Sequence, residues 1–268
     1  MAGLSSTRIE PGDTSSVACL SFASGNCVLL STPAPYKIDD KSAQNEDSYL
    51  AIELNNSTVL AVADGVGGYP GGKEASMLAI TMLENALKAA TATDNSYRNA
   101  ILDSIEACNA KLLELGHGAT TTITVVEVSD STMRPYHVGD SSIMVVGQRG
   151  LQKFQTISHS PIGFGIEAGL LEPDIAHQHD ERHWVSNLVG TQEMRIEVGA
   201  PLQMASFDTL LLCSDGLTDN MSQLDIGEII RKGPLDVSLQ QLKNSCSLYM
   251  QSESGQPDDL TVILYRGC

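Results

Sequence analysis

The feature that most constrains this chain is a set of acidic residues placed where apolar segments begin or end. These residues are Glu46, Asp47, Asp64, Asp215, Asp258 and Asp259. Two unit charges about 4 Å apart repel by about 4 kcal/mol at an effective dielectric constant near 20, so carboxylates that converge need a cation. Carboxylate oxygens are also the ligands with which proteins bind hard divalent cations. If the fold brings these segment ends together, the sequence predicts a metal site.

Each acidic turn taken singly also has a structural explanation. Asp-Gly after an apolar strand is a strong hairpin signal, so a lone Asp64-Gly65 indicates a turn more often than a metal site. Gly139-Asp140 fits a structural turn equally well, and Asp219 fits the N-cap of a following helix. Only the whole set favours metal binding.

The charge balance restricts the partners of the chain. Asp and Glu number 33 against 16 Lys and Arg, which gives a net charge of −17. Such a surface repels nucleic acids and anionic membranes, because both are bound through clustered Lys and Arg. A phosphorylated substrate is repelled as well, unless bound cations supply a local positive charge.

Length and cysteine usage indicate the kind of protein. No linker or repeat divides the 268 residues, so we expect a single domain over 1–268 with a loosely ordered segment or edge strand over 1–18. The six cysteines form no CxxC pair and are typical of a reducing compartment. No apolar run approaches the roughly 18 residues that a membrane span needs. We therefore expect a soluble cytoplasmic monomer.

The order of the elements predicts the fold class. Apolar patterns predict strands over 27–30, 49–52, 59–63, 121–128, 133–138, 143–146, 210–213 and 261–265. Helical spacing predicts helices over 73–87, 97–115, 222–232 and 236–251. Strands joined by hairpins, one of them at Gly139-Asp140, and helices grouped in pairs favour an α+β fold with antiparallel sheets. The stretch 156–204 is predicted to be irregular, with a short helix or turn over 182–190, and to be functional.

The acidic motifs also occur in a particular order. They are Asn45-Glu46-Asp47, Asp64-Gly65-Val66-Gly67-Gly68, Gly139-Asp140-Ser141, Ser214-Asp215-Gly216 and Asp258-Asp259-Leu260-Thr261. From about Lys37 to Tyr265 this set resembles the metal-dependent serine/threonine protein phosphatases of type 2C, in particular bacterial-type members. The resemblance implies a four-layer αββα sandwich, in which two packed antiparallel sheets are flanked by helix pairs. It also implies hydrolysis of phosphoserine and phosphothreonine in a phosphorylated protein substrate.

The resemblance assigns the metal ligands residue by residue. Asp64 would bridge two Mn²⁺ or Mg²⁺ ions, with the carbonyl of Gly65 on one of them. Asp215 and Asp258 would complete the other. A water molecule between the two ions would then attack phosphorus, so that Asp64, Asp215 and Asp258 carry catalysis.

Further acids are implied in outer positions of the same site. Glu46 and Asp47 would hold metal-bound waters or contact a cation directly. Asp140, with Asp215 and Asp219, would form a third metal site. For Asp140 and Asp219 the sequence agrees equally well with the structural explanations given above.

Two positions depart from the family pattern. Val66 stands where many members have a histidine that protonates the leaving group. Ser42 stands where the family commonly has an arginine that binds the phosphate, which leaves the adjacent Lys41 as the candidate phosphate-binding residue. A lysine binds phosphate as a point charge without the two-pronged geometry of arginine.

Other interpretations use the same residues differently. A catalytically inactive relative that binds phosphoproteins as a scaffold would typically lack one of the acids, and Asp64, Asp215 and Asp258 are all present. A phosphatase for a small phosphorylated metabolite would keep them. His177, His179 and His183 have spacing that suggests zinc, but their polar surroundings favour a solvated loop.

Overall fold

The computed structural model describes residues 6–7, 16–38, 44–66, 71–93, 96–172, 179, 181 and 184–267. The elements in chain order are β1 (Ser6–Thr7), β2 (Ser16–Phe22), β3 (Gly25–Thr32), β4 (Asp47–Glu53), β5 (Thr58–Asp64), α1 (Gly72–Thr93), α2 (Tyr97–Leu115), β6 (Ile123–Ser129), β7 (Thr132–Val138), β8 (Ser142–Val146), β9 (Gln152–Gln155), α3 (Pro161–Glu167), β10 (Glu197–Val198), β11 (Leu202–Gln203), β12 (Thr209–Cys213), α4 (Asp215–Thr218), α5 (Gln223–Ile230), α6 (Leu235–Met250) and β13 (Leu260–Gly267). A 3₁₀ turn covers Pro35–Lys37.

The strands form two antiparallel sheets. The first has seven strands in the order β1-β4-β5-β6-β7-β10, with β11 also paired to β7. The second has six strands in the order β2-β3-β13-β12-β8-β9. Strands β1 and β2 lie at the edges of the two sheets, so the described part of the N-terminal segment consists of edge strands.

Burial explains why the two sheets pack face to face. Successive side chains of a strand point to opposite faces. On β4, Tyr49 packs in the cluster between the sheets, whereas Leu50 packs in the cluster beneath α1 and α2. A third cluster joins α5 and α6 to the outer face of the second sheet, where Leu211 and Leu242 are fully buried. The predicted α+β fold, a four-layer αββα sandwich, is confirmed.

The helix termini follow local sequence signals. Helix α2 ends at Gly116, which has the left-handed conformation (φ 71°) that favours glycine at this position. Ser222 caps α5, because its Oγ accepts a hydrogen bond from the amide of Asp225. The predicted N-cap role of Asp219 is wrong: the unpredicted turn α4 places Asp219 at its own C-terminal end. None of the helices in the described ranges combines the length and apolarity that a bilayer crossing requires.

The predicted hairpin over 133–146 is also wrong. Strand β7 belongs to the first sheet and β8 to the second, so the chain crosses between the sheets at Gly139. Gly139 has a φ of 106°, and a Cβ there would lie 2.6 Å from the Thr122 side chain. Only glycine fits this crossing. As a result Asp140, the next residue, lies in the connection between the two sheets.

The stretch 156–204 contains more structure than predicted. Helix α3 covers Pro161–Glu167 and is capped by Ser160, whose Oγ accepts from the amide of Gly163 at 3.0 Å. Strands β10 and β11 extend the first sheet. The structure shows no helix over 184–190, the described part of the predicted element at 182–190.

Candidate metal centre

The predicted acids meet at one end of the sandwich because the strands that carry them end there. Asp47 begins β4 and lies opposite Asp64, the last residue of β5. Asp215 begins α4 two residues after the end of β12, and Asp258 lies two residues before the start of β13, the neighbour of β12. Asp64 and Asp215 lie close enough for each carboxyl group to influence the pKa of the other.

Ser214 joins the two sheets at this site. Its Oγ donates to Oδ2 of Asp47 at 2.8 Å and accepts from the amide of Thr261 at 3.0 Å. The local sequence predicts no role for Ser214 in the site, because nothing in its pattern points to Asp47. The contact fixes the orientation of Asp47 and leaves the hydroxyl engaged, which does not suit a nucleophile.

The crossing turn is tied to the same site through hydroxyl groups. The amide of Asp64 donates to Thr122 Oγ1 at 3.1 Å, and Thr122 Oγ1 lies 2.7 Å from the Oγ of Ser141. Asp140 therefore has a fixed position relative to Asp64.

Burial and mutual repulsion raise the pKa values of the acids. Burial and then the charge of Asp215 raise the pKa of Asp64 well above its ordinary value. Burial and the charge of Asp140 raise the pKa of Asp215 to about 7, and burial and the charge of Asp215 raise that of Asp258 to about 8. In the metal-free chain these carboxyls therefore retain protons that free carboxyls lose.

Asp47 and Asp140 carry buried oxygens that lack partners. Among the described residues, Oδ1 of Asp47 and both carboxyl oxygens of Asp140 are buried without a hydrogen-bond partner. Burial, followed by the charge of Asp259, raises the pKa of Asp47, and burial raises that of Asp140 to about 6. Unpartnered buried carboxyl oxygens are costly unless a cation binds them. The acids present thus fit hard divalent cations with oxygen ligands.

Both carboxyl oxygens of Asp259 are already bound by groups of the protein. They accept from the amide of Ala34 at 2.8 Å, from Lys37 Nζ at 2.7 Å and from the amide of Glu46 at 2.7 Å. Lys37 also contacts Glu46 Oε2 at 3.0 Å. Burial lowers the pKa of Lys37, but the hydrogen bonds and charges of Asp259 and Glu46 outweigh burial and raise it. The buried Lys37–Asp259 pair therefore positions Glu46 and offsets part of the charge.

Gly65 lies where the start of α1 touches the site. Its amide donates to the carbonyl of Glu46 at 3.2 Å, and a Cβ on Gly65 would lie 2.2 Å from the carbonyl oxygen of Gly72. A glycine is required for this close approach. Gly65 itself therefore lies next to Glu46 and Asp64, and its carbonyl stays a predicted ligand.

The other predicted residues have different placements. Asp219 lines a cavity together with Asp140 and Asp215. Lys41 and Ser42 lie outside the described residues, as do His177 and His183. His179 is described, and its Nδ1 accepts from the amide of Glu181 at 3.2 Å.

A separate group of potential ligands is built from histidine. In the described ranges, His137, His159 and Glu197 are the one set of three that has its ligand atoms within 4.8 Å of one another. Nδ1 of His159 accepts from the amide of Gly139 at 3.0 Å, so its Nε2 carries the proton directed at Glu197. Nε2 of His137 faces the carbonyl of Ile157 at 3.0 Å. These bonds occupy both ring nitrogens of His159 and Nε2 of His137, so the group is better suited to anchoring the crossing turn than to binding metal.

The raised pKa values predict how the stability of the metal-free protein depends on pH. A carboxyl whose pKa rises on folding contributes stability that is complete below its unfolded pKa of about 3.9 and is lost as pH rises through the folded value. For Asp140, Asp215 and Asp258 the folded values are about 6, 7 and 8. In EDTA we expect Tm to fall between about pH 5 and pH 8.5.

Thermal unfolding of the wild type and Asp258→Asn in EDTA checks this expectation. The buried histidines have lowered pKa values and act in the opposite sense at lower pH, so the informative quantity is the difference between the two proteins. Asp258→Asn should gain stability over the wild type as pH rises. A constant difference across this pH range would contradict the raised pKa of Asp258.

Comparison with known proteins gives consistent results. The family model described as Protein phosphatase 2C matches residues 38–241. Protein phosphatase PhpP of Streptococcus pneumoniae is 30% identical over 237 residues, which are 85% of this chain and 93% of PhpP. The structure of the Streptococcus agalactiae serine/threonine phosphatase has a TM-score of 0.72 at 25% identity and covers 94% of this chain and 99% of that one. The catalytic domain of PstP, a serine/threonine protein phosphatase solved with two manganese ions, has a TM-score of 0.69 at 23% identity. The match covers 90% of this chain and 97% of the PstP chain.

Proposed function

Since this chain belongs to the protein phosphatase 2C family of metal-dependent serine/threonine protein phosphatases, we propose that its acid cluster binds two Mn²⁺ or Mg²⁺ ions and hydrolyses phosphoserine and phosphothreonine in proteins. The observation that carries the proposal is the convergence of carboxyls with raised pKa values and unpartnered buried oxygens at one end of the sandwich. Such a group is unfavourable by itself and becomes favourable around cations.

Five residues are proposed to hold the two ions. They are Asp47, Asp64, Gly65 through its carbonyl, Asp215 and Asp258. When bound, the ions balance charge on the phosphoryl oxygens and lower the pKa of a water molecule for attack on phosphorus. Asp64 is central to this set, since it lies opposite Asp47 and the charges of Asp215, Asp47 and Asp258 raise its pKa.

Three further acids are proposed to lie around the site of these two ions. Glu46, held by Lys37, would bind an ion directly or through water. Asp140 and Asp219 would hold a third ion together with Asp215. The unpartnered oxygens of Asp140 support this assignment over a purely structural turn.

No side chain is proposed as the nucleophile. Ser214 is engaged with Asp47 and Thr261, and burial raises the pKa of the nearby Cys213 thiol far above neutrality. Attack therefore falls to water. Val66 has no titratable group, so protonation of the leaving oxygen falls to water as well.

Phosphate release from a phosphothreonine peptide in the presence of Mn²⁺ tests the proposal. The same assay with a phosphotyrosine peptide and with small phosphorylated metabolites defines the substrate class. Hydrolysis of the phosphothreonine peptide with the highest kcat/KM is expected. Binding of that peptide without hydrolysis would favour a scaffold, and preference for a metabolite would also overturn the proposal.

Lys41 is proposed to bind the substrate phosphate. Lys37, the other lysine close to Glu46 in sequence, is already paired with Asp259 and Glu46. We expect Lys41→Ala to raise KM several-fold and Ser42→Arg to lower it, because arginine binds phosphate through two parallel hydrogen bonds. Steady-state kinetics on p-nitrophenyl phosphate measures this. Lys111→Ala, on the surface of α2, is the control. If neither Lys41→Ala nor Ser42→Arg changed KM, the phosphate-binding residue would lie elsewhere.

A further inference from the structure

A cavity opens beside the candidate metal centre, between α3 and the segment that follows α4. Its volume is about 190 Å³, and its lining includes Asp140, Asp215 and Asp219. Pockets for drug-sized ligands typically measure about 300–1,000 Å³, so this cavity has the size for one side chain.

One part of the cavity lining is apolar. It is formed by Ile157, Ile162, Ile166 and Met221. Ile162 and Met221 are buried, so they give the cavity a fixed wall. An occupant should therefore have an apolar stem to cover this surface.

The polar part of the lining accepts hydrogen bonds and carries negative charge. Besides the candidate metal ligands it includes Glu167 and Gln155, which belong to no proposed ion site. Oε1 of Gln155 is buried without a hydrogen-bond partner. Glu167 is exposed, so it lies at the mouth of the cavity. The residues described as lining the cavity include no lysine, arginine or histidine.

These properties select one class of occupant. A lysine or arginine side chain has a long apolar stem that packs on isoleucine and methionine, and a charged end that donates hydrogen bonds. Its charge complements Glu167, and its donors can satisfy Gln155. The net charge of −17 also favours the approach of basic segments from solution.

We propose that this cavity is a subsite for a basic side chain that flanks the phosphorylated residue of the substrate protein. The inference rests on the proposed function, since the cavity shares Asp140 and Asp215 with the candidate metal centre. Such a subsite would make phosphoproteins with a basic residue near the phosphorylated residue the preferred substrates.

Phosphothreonine heptapeptides test the subsite. In an alanine background, one lysine is placed in turn at each flanking position, and kcat/KM is measured with Mn²⁺. At one or two positions lysine should raise kcat/KM about fivefold over the alanine peptide, as one favourable charge contact would. Arginine should give a similar gain there.

Variants separate the subsite from the overall charge. Glu167→Gln removes the local charge, and Ile166→Trp fills the cavity; both should bring the lysine-to-alanine ratio of kcat/KM close to one. Glu172→Gln is the matched control, because it removes the same charge from an exposed residue outside the lining and should leave the ratio unchanged.

The outcomes are distinguishable. No lysine effect at any position, or an equal fall of the ratio in Glu167→Gln and Glu172→Gln, would overturn the subsite while leaving the phosphatase proposal intact. Failure of the wild type to hydrolyse the alanine peptide and every lysine peptide would overturn both.

Discussion

Asp64→Asn is expected to lower kcat by about a hundredfold or more, which corresponds to about 2.7 kcal/mol of activation free energy. Asp64 lies opposite Asp47, and the charges of Asp215, Asp47 and Asp258 raise its pKa. Asparagine keeps the size of the side chain but removes the charge that a cation needs. The loss should therefore appear in turnover, while the fold persists.

Asp215→Asn and Asp258→Asn should have effects of the same order, because both acids belong to the same charged group. Asp103→Asn, an exposed acid on α2, serves as the control and should be nearly neutral. Circular dichroism and Tm in EDTA would show that the variants fold, and the removal of one repelling charge should raise Tm. Near-normal turnover of Asp64→Asn would refute its shared role between the ions.

Removal of divalent cations is the second change with a large expected effect. EDTA should abolish phosphate release, and Mn²⁺ or Mg²⁺ should restore it, because the proposed ligands are oxygen atoms. Binding to the folded state alone stabilises a protein by about 2.7 kcal/mol at a ligand concentration of 100 Kd. Tm should therefore rise with metal concentration.

Phosphate release and the metal dependence of Tm provide a check on each other. Asp64→Asn should show a smaller rise of Tm with Mn²⁺ than the wild type does. Full activity in excess EDTA, or a wild-type Tm that does not respond to either ion, would contradict the two-metal proposal.

Much of the fold could be predicted because its signals are local. The helical spacing from Tyr97 to Leu115 and the stop at Gly116 predict α2 closely. The hairpin of β4 and β5 follows from two apolar runs separated by Asn55-Asn56. The acids of the candidate site could be selected because each lies at the end of such a run.

The features of the fold and of the site that the sequence does not predict depend on contacts between segments distant in the chain. Lys37 and Asp259 are 222 residues apart in sequence, and Ser214 and Asp47 are 167 apart. No periodicity encodes such pairs. The crossing at Gly139 resembles a hairpin turn locally, and only the pairing of β8 with β12 reveals that it leads into the second sheet. Helix α3 has seven residues, too few for its periodicity to stand out.

The most direct test of the central claim is anomalous diffraction at the manganese edge from crystals grown with MnCl₂. We expect two strong peaks at metal–oxygen bonding distance from the carboxylates of Asp64, Asp215 and Asp258, with a third peak near Asp140 if the additional site is filled. Manganese bound only at His137, His159 and Glu197, or no peak beside Asp64, would contradict the account.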